Sequence, residues 1–214
     1  MRLILTKLKG INMNLKLISS LLAISLFSVS PGFAQIMDDM NGMNGDNNNR
    51  TMQVQRNMQG NRAMHQKDAE TIAWLIVLNK NEITAANAVT KRKVDPMVRD
   101  YARWMIREHN KNLRETERLS NRLNIKAMNT NAVMALKEKG KQQMASMKPL
   151  KGEEFEVAYI DAMVTDHGDA LQKINNEILE NIHNPKLRQH VMVTRTHIQH
   201  HLEKAKEIQN KLES

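Results

Sequence analysis

Two stretches of the chain share a pattern of side chains that can hold a metal ion. Tyr101 to Leu113 reads YARWMIREHNKNL, and Tyr159 to Leu171 reads YIDAMVTDHGDAL. Tyr, Met, His and Leu recur at the same offsets, with Ile/Val and Glu/Asp matched between the copies. Steps of four place such residues along one face of an α-helix. Met105/His109 and Met163/His167 therefore form i, i+4 pairs of a thioether and an imidazole. Neutral imidazole binds Cu, Zn, Fe or Ni, and thioether sulfur selects soft ions such as Cu(I). A third source of imidazole lies near the C-terminus, where His190, His197 and His201 share a helical stripe. Glu82 borders the apolar stripe of an earlier helix and would add negative charge.

Three imidazoles and Glu82 meeting inside one helical body would make a transition-metal site, with copper favoured over iron. The competing expectation is a metal-free polar network, in which the histidines bond to Tyr101, Tyr159, Glu82 or backbone. Either arrangement must satisfy the groups, because an unpaired buried polar group costs about 1–3 kcal/mol. A di-iron oxidase is the weakest alternative. It needs Glu-x-x-His on two helices, whereas here acid and histidine are adjacent (Glu108-His109, Asp166-His167) and point about 100° apart. Glu180-x-x-His183 matches, but it falls at a helix end. No Gly-x-Ser-x-Gly elbow supports a hydrolase, and binding rather than catalysis is expected.

The elements that must position these groups are all helical. Helix A should run from about Lys67 to Arg92, on Ile72, Leu75, Ile76, Ile83, Ala86 and Val89. Asp95-Pro96 should start helix B as cap and first-turn proline. Val98, Ala102, Met105, His109, Leu113, Thr116, Ser120 and Leu123 then face inward, to an end near Asn124. A short helix should follow from Thr130 to about Ala145. Helix C runs from about Glu153 to His183, with Phe155, Tyr159, Met163, His167, Leu171, Ile174, Ile178 and Ile182 inward. Asn184-Pro185 starts helix D, with Leu187, Val191, Thr194, Ile198, Leu202, Ala205, Ile208 and Leu212 near a heptad seam and His201 beside it. Tight A–B and C–D joints and a long B–C connection predict an all-α, four-helix bundle of two antiparallel hairpins, the ferritin-like arrangement.

Ahead of the bundle, residues 1–34 have the form of a signal peptide: basic residues to Lys16, the apolar run LISSLLAISLFSV, and small Gly32 and Ala34 before a cut at Gln35. Met13 is an alternative start. Residues 35–66, rich in Asn, Gly, Gln and Met, bury too little to offset chain entropy and are expected to be disordered. They carry six of the 16 methionines. Met37-x-x-Met40-x-x-Met43 lets thioethers converge on one soft ion.

Composition removes other functions. The absence of cysteine excludes disulfides, thiolate metal sites and a lipobox. Four of the 32 basic residues (Arg2, Lys7, Lys9, Lys16) lie in the leader, which leaves 28 against 23 acids from residue 35 onward. Such an excess spread along helices marks solvated faces, and 3% aromatics leave no base-stacking platform, so nucleic acid is not an expected partner. No stretch outside the leader is apolar enough for a permanent membrane span.

Glu82 in a small-residue helix, the Met-x-x-[Glu/Asp]-His motif of helices B and C, the Phe155…Tyr159 entry to helix C and His201-Leu202-x-x-Ala205 in helix D resemble an exported bacterial family of the ferritin-like superfamily. That family is catalogued as a domain of unknown function, and its members are often labelled outer-membrane proteins. The resemblance covers about Asp68 to Leu212. It implies a ferritin-like bundle and a periplasmic, outer-membrane-associated location, brings no established reaction, and picks out Glu82, His109, His167 and His201 as the polar core.

Overall fold

The computed structural model describes residues 34–214, and side chains from residue 48 on. The expected leader and the side chains of Met37, Met40 and Met43 lie outside that range. The chain divides into a unit ending at Arg50 and a larger one, Thr51–Ser214. The larger unit carries everything below.

All the regular structure among the described residues is helical. α1 spans Ala34–Thr90, α2 Pro96–Leu123, α3 Asn131–Met147, α4 Gly152–Lys173, α5 Leu179–Asn181 and α6 Pro185–Leu212, with a π-helical turn at Ile174–Ile178 between α4 and α5. The starts follow the chemistry of their first residues. Asp95 accepts from the Met97 amide ahead of Pro96, and Asn184 accepts from the Lys186 and Leu187 amides ahead of Pro185. Thr130 accepts from Val133 at the head of α3. Each cap satisfies amides that the first helical turn leaves without partners. α2 ends on Asn124 at φ 52°, the left-handed conformation that asparagine tolerates best after glycine.

Residues 35–66 differ from expectation in their backbone, which is helical and continuous with α1. Their composition still has its consequence: every side chain from Asn48 to Lys67 is exposed, and burial begins at Asp68.

Two apolar clusters fill the larger unit. One gathers Ile72, Leu75 and Leu78 of α1 with Ala170, Ile174, Ile178, Leu187, Val191 and Ile198. The other gathers Ala86 and Val89 with Val98, Tyr101, Met105, Phe155, Tyr159, Met163, Ala205 and Ile208. α6 packs on α4 and α2, and α3 packs on α4. Buried Asp68 closes the α5–α6 joint by accepting from the His183 and Asn184 amides at 3.0 and 3.1 Å.

Of the residues expected on the inward stripes, Ile76, Ile83, Leu113, Ser120, Leu123, Leu171, Leu202 and Leu212 are only half-buried, and in the two Tyr-Met-His-Leu series the reason is helical phase. Steps of four drift by 40° per step on a 3.6-residue helix, so the fourth member of such a series leaves the face. Leu113 and Leu171 accordingly end half-buried, and Asn112 and Ala170 take the core positions. In α6 the buried set is Leu187, Val191, Thr194, Ile198, His201, Ala205 and Ile208, an unbroken alternation of four and three. His201 therefore lies in the seam and Leu202 beside it, the reverse of the expectation. In α4 and beyond, the π turn widens the helix locally, which keeps Ile174, Ile178 and Ile182 on one face despite their spacing of four.

Candidate metal centre

α2, α4 and α6 bring His109, His167 and His201 together. All three are buried, at 4%, 2% and 2% exposure, although imidazole is polar. Their ring centroids are 5.9 Å (His109–His167), 5.1 Å (His109–His201) and 5.4 Å (His167–His201) apart. One nitrogen from each ring lies within 4.8 Å of the others.

The outer nitrogens are bound to protein. His109 Nδ1 is 2.9 Å from Asn79 Oδ1. His167 Nδ1 is 2.7 Å from the carbonyl oxygen of Met163, one turn back in α4. A carbonyl oxygen only accepts, so both Nδ1 atoms carry the proton and both Nε2 atoms present a lone pair. Those Nε2 atoms, together with His201 Nδ1, are buried without a hydrogen-bond partner. The backbone around His201 is held by Tyr101, whose hydroxyl donates to its carbonyl at 3.2 Å, and its ring stands edge-on to Trp104 with centroids 4.6 Å apart.

Burial is the largest influence on each ring and disfavours the imidazolium. It pushes His167 down to about 4, against the opposing pull of the Met163 carbonyl and Asp166. It pushes His201 down to about 3, aided by His167, His197 and His200. His109 is lowered well below its ordinary value by burial and then by His201, His167 and His197. All three rings are neutral at pH 7, the form that ligates metals.

A polar ladder supports the cluster. The Asn79 amide donates to the Leu75 carbonyl at 2.7 Å and to Asn112 Oδ1 at 2.8 Å. Asn112 donates to Thr194 Oγ1 at 2.7 Å. Thr116 is 2.8 Å from His190 Nε2. Asn79 and Asn112 were not among the sequence-based candidates. Strict alternation of three and four along α1 (Asp68, Ile72, Leu75, Asn79, Glu82, Ala86, Val89) and α2 would have found them, since both are polar residues on seam positions.

The other candidates divide. Glu82 is buried, with Oε2 unpartnered, but it does not join the three rings. Burial, then Asp166, holds its carboxyl well above the usual range, against the opposing pull of Lys139. Met105 and Met163 are fully buried in the cluster that holds Tyr101 and Tyr159. Tyr159 is fully buried too, with its hydroxyl unpartnered. His197 stays half-buried, outside the trio. It lines a cleft of about 10 Å³ with Glu108, His109, Asn112, Thr194, Ile198 and His201.

Chemically, two neutral imidazoles with inward lone pairs and a third with an unpartnered inward nitrogen could together ligate one transition ion. Bonds of about 2.0–2.1 Å at tetrahedral angles put nitrogens about 3.4 Å apart, so a pair as much as 4.8 Å apart would close by about 1.4 Å on loading.

Fold and site define an all-helical protein with a polar, histidine-lined core. The chain belongs to the family described as Domain of unknown function (DUF4142), whose model matches residues 53–208. Its fold is similar to that in a crystal structure described as "putative secreted protein DUF305" from Streptomyces coelicolor, at 12% identity and a TM-score of 0.57, covering 69% of this chain and 94% of that one. No curated protein matches the chain.

Proposed function

We propose that the protein is an exported, ferritin-like four-helix-bundle protein that binds one transition-metal ion at His109, His167 and His201 without catalysing a reaction. The observation that carries this is the convergence of three buried, unpartnered ring nitrogens, two of them fixed as lone pairs by Asn79 and Met163. A closed structural network would leave fewer such atoms, because each unsatisfied buried group costs about 1–3 kcal/mol.

Copper as Cu(I) suits the site best. The rings bring no negative charge, and the cost of burying an ion grows with the square of its charge. Imidazole accepts Cu(I), and Met105 and Met163, one turn before His109 and His167 on the same helices, are soft sulfur donors. The cleft at His197 is of ion size, a route for a metal rather than for an organic substrate. Met37, Met40 and Met43 would collect the same soft ion on the N-terminal side. Export rests on the form of residues 1–34; among the described residues no helix is long and apolar enough to cross a membrane. Periplasmic placement with an outer-membrane association follows from that leader and from the family resemblance. A di-iron centre has no support in a trio without a bridging carboxylate.

The second reading, a metal-free envelope protein, is favoured by the closed Asn79–Asn112–Thr194 ladder, which orders the core with no ion. Metal analysis of protein purified from the periplasm, with a Cu(I) and Zn(II) competition titration of wild type and His167→Ala, separates the two. One equivalent of saturable binding, weakened at least a hundredfold by His167→Ala, is expected. Metal-free protein with no saturable binding would establish the structural reading instead.

A further inference from the structure

A second site, separate from the three histidines, lies where α3 covers α1 and α4. A cavity of about 210 Å³ is lined there by Trp74, Leu78 and Leu136 on its apolar side and by Glu82, Lys139 and Asp166 on its polar side. α3 approaches closely enough to form it because Gly140 has no side chain: a Cβ there would fall 2.6 Å from Asn81 Oδ1. The Asn81 amide donates to the Leu136 carbonyl at 2.9 Å and pins the two helices together.

Two features of the lining point to a ligand. Glu82 is 97% buried, faces the cavity and leaves Oε2 without any partner. Farther out, the chain's own Lys139 ammonium sits between Asp166 Oδ1 at 2.9 Å and Asp169 Oδ2 at 2.7 Å. The rim thus already holds an alkylammonium group, while the carboxyl beneath it has none. Both lysines of the lining are already engaged, Lys139 with Asp166 and Asp169 and Lys173 with Glu177 at 2.7 Å, and neither ion pair includes Glu82. The same lining carries the apolar side chains of Trp74, Leu78 and Leu136. A bare metal ion calls for oxygen donors on all sides. A mostly apolar pocket with a few convergent acids calls for an organic cation.

We propose that this cavity binds a small organic cation, a primary alkylammonium seated on Glu82 with its hydrocarbon part against Trp74, Leu78 and Leu136. In the loaded site the Glu82 carboxylate accepts from the ammonium, and any proton it carried passes to solvent. The hydrocarbon part supplies burial energy, and Asp166 supplies long-range attraction. Affinity should therefore fall for cations without an apolar tail.

Isothermal titration of the full mature protein with n-butylammonium, putrescine, n-butanol and Mg2+ tests this. Butylammonium or putrescine should bind saturably, n-butanol and Mg2+ should not, and Glu82→Gln should weaken the amine at least tenfold. His167→Ala should leave amine binding unchanged, which distinguishes this site from the metal centre. Glu82→Gln preserves side-chain shape, and its melting temperature confirms that it is folded. Binding of Mg2+ in place of the amine, equal binding of butanol and butylammonium, amine binding that survives Glu82→Gln, or no binding at all (a solvent-filled cavity) would each overturn the proposal.

Discussion

Asn79 Oδ1 stands 2.9 Å from His109 Nδ1, and that contact determines which nitrogen of His109 faces the core. The orientation of the amide is itself determined, because its nitrogen donates to Leu75 and to Asn112. A residue of α1 thereby sets the tautomer of a ring on α2. Second partners of this kind typically govern ligand basicity and orientation.

Replacing Asn79 by Leu should therefore weaken metal binding by about 10–100-fold without removing a ligand. It should also destabilise the metal-free fold, since the His109 Nδ1 proton and Asn112 Oδ1 lose partners at about 1–3 kcal/mol each. Competition titration and urea unfolding of the same variant measure the two effects. An unchanged metal affinity would remove Asn79 from the site.

The metal-free protein should lose stability as pH falls from about 6.5 toward 4. His167 and His201 titrate near 4 and near 3 when folded and near 6.5 when unfolded. The unfolded chain therefore binds more protons in that window, at about 1.4 kcal/mol per pH unit per ring. Glu82 acts with the opposite sign. Its folded carboxyl is raised, so its contribution is complete below about pH 4.5 and is lost as pH rises. Glu82→Gln should raise stability at pH 8 relative to wild type and leave the acid loss in place. Thermal melts between pH 4 and 8 check both limbs.

Gly140→Ala should cost about 1 kcal/mol, although alanine is the better helix former by about that amount. The new Cβ would displace the Asn81 side chain and break its bond to Leu136. In an Asn81→Ala background the same substitution should become stabilising. A double-mutant cycle by chemical denaturation would reveal the change of sign, and its absence would contradict the packing described.

Trp104 reports on the centre because its ring lies against His201. Copper loading should quench its fluorescence, and Trp104→Phe should remove most of the signal without changing stoichiometry. Met105→Leu with Met163→Leu should lower Cu(I) affinity and spare Zn(II). Equal losses for both ions would show that the two methionines only fill the core.

Much of the arrangement was legible from local chemistry. Asp95-Pro96, Asn184-Pro185 and Thr130 announce helix starts because caps and prolines act within one turn. His109 and His167 were evident from their repeat. His201 was assigned beside the seam, because a one-position error in helical phase is easily made where Leu202 competes for the same face. Asn79 and Asn112 are polar, so apolar residues alone do not mark their positions, and only the strict three-four phase of α1 and α2 places them on the seam. Asn48 to Gln66 are exposed, but lack of burial does not specify backbone, and theirs is helical.

The amino-acid order by itself determined the helical segments and their caps, the absence of thiol chemistry and the repeated Tyr-Met-His-Leu face. Those features depend on neighbours within a turn or two. Only the tertiary structure decided that three imidazoles from α2, α4 and α6 point their free nitrogens at one another, that Glu82 turns instead to a separate cavity, and that Asn79 orients His109. Each of these depends on helix phase and on contacts between residues 30 or more positions apart, which no local pattern encodes.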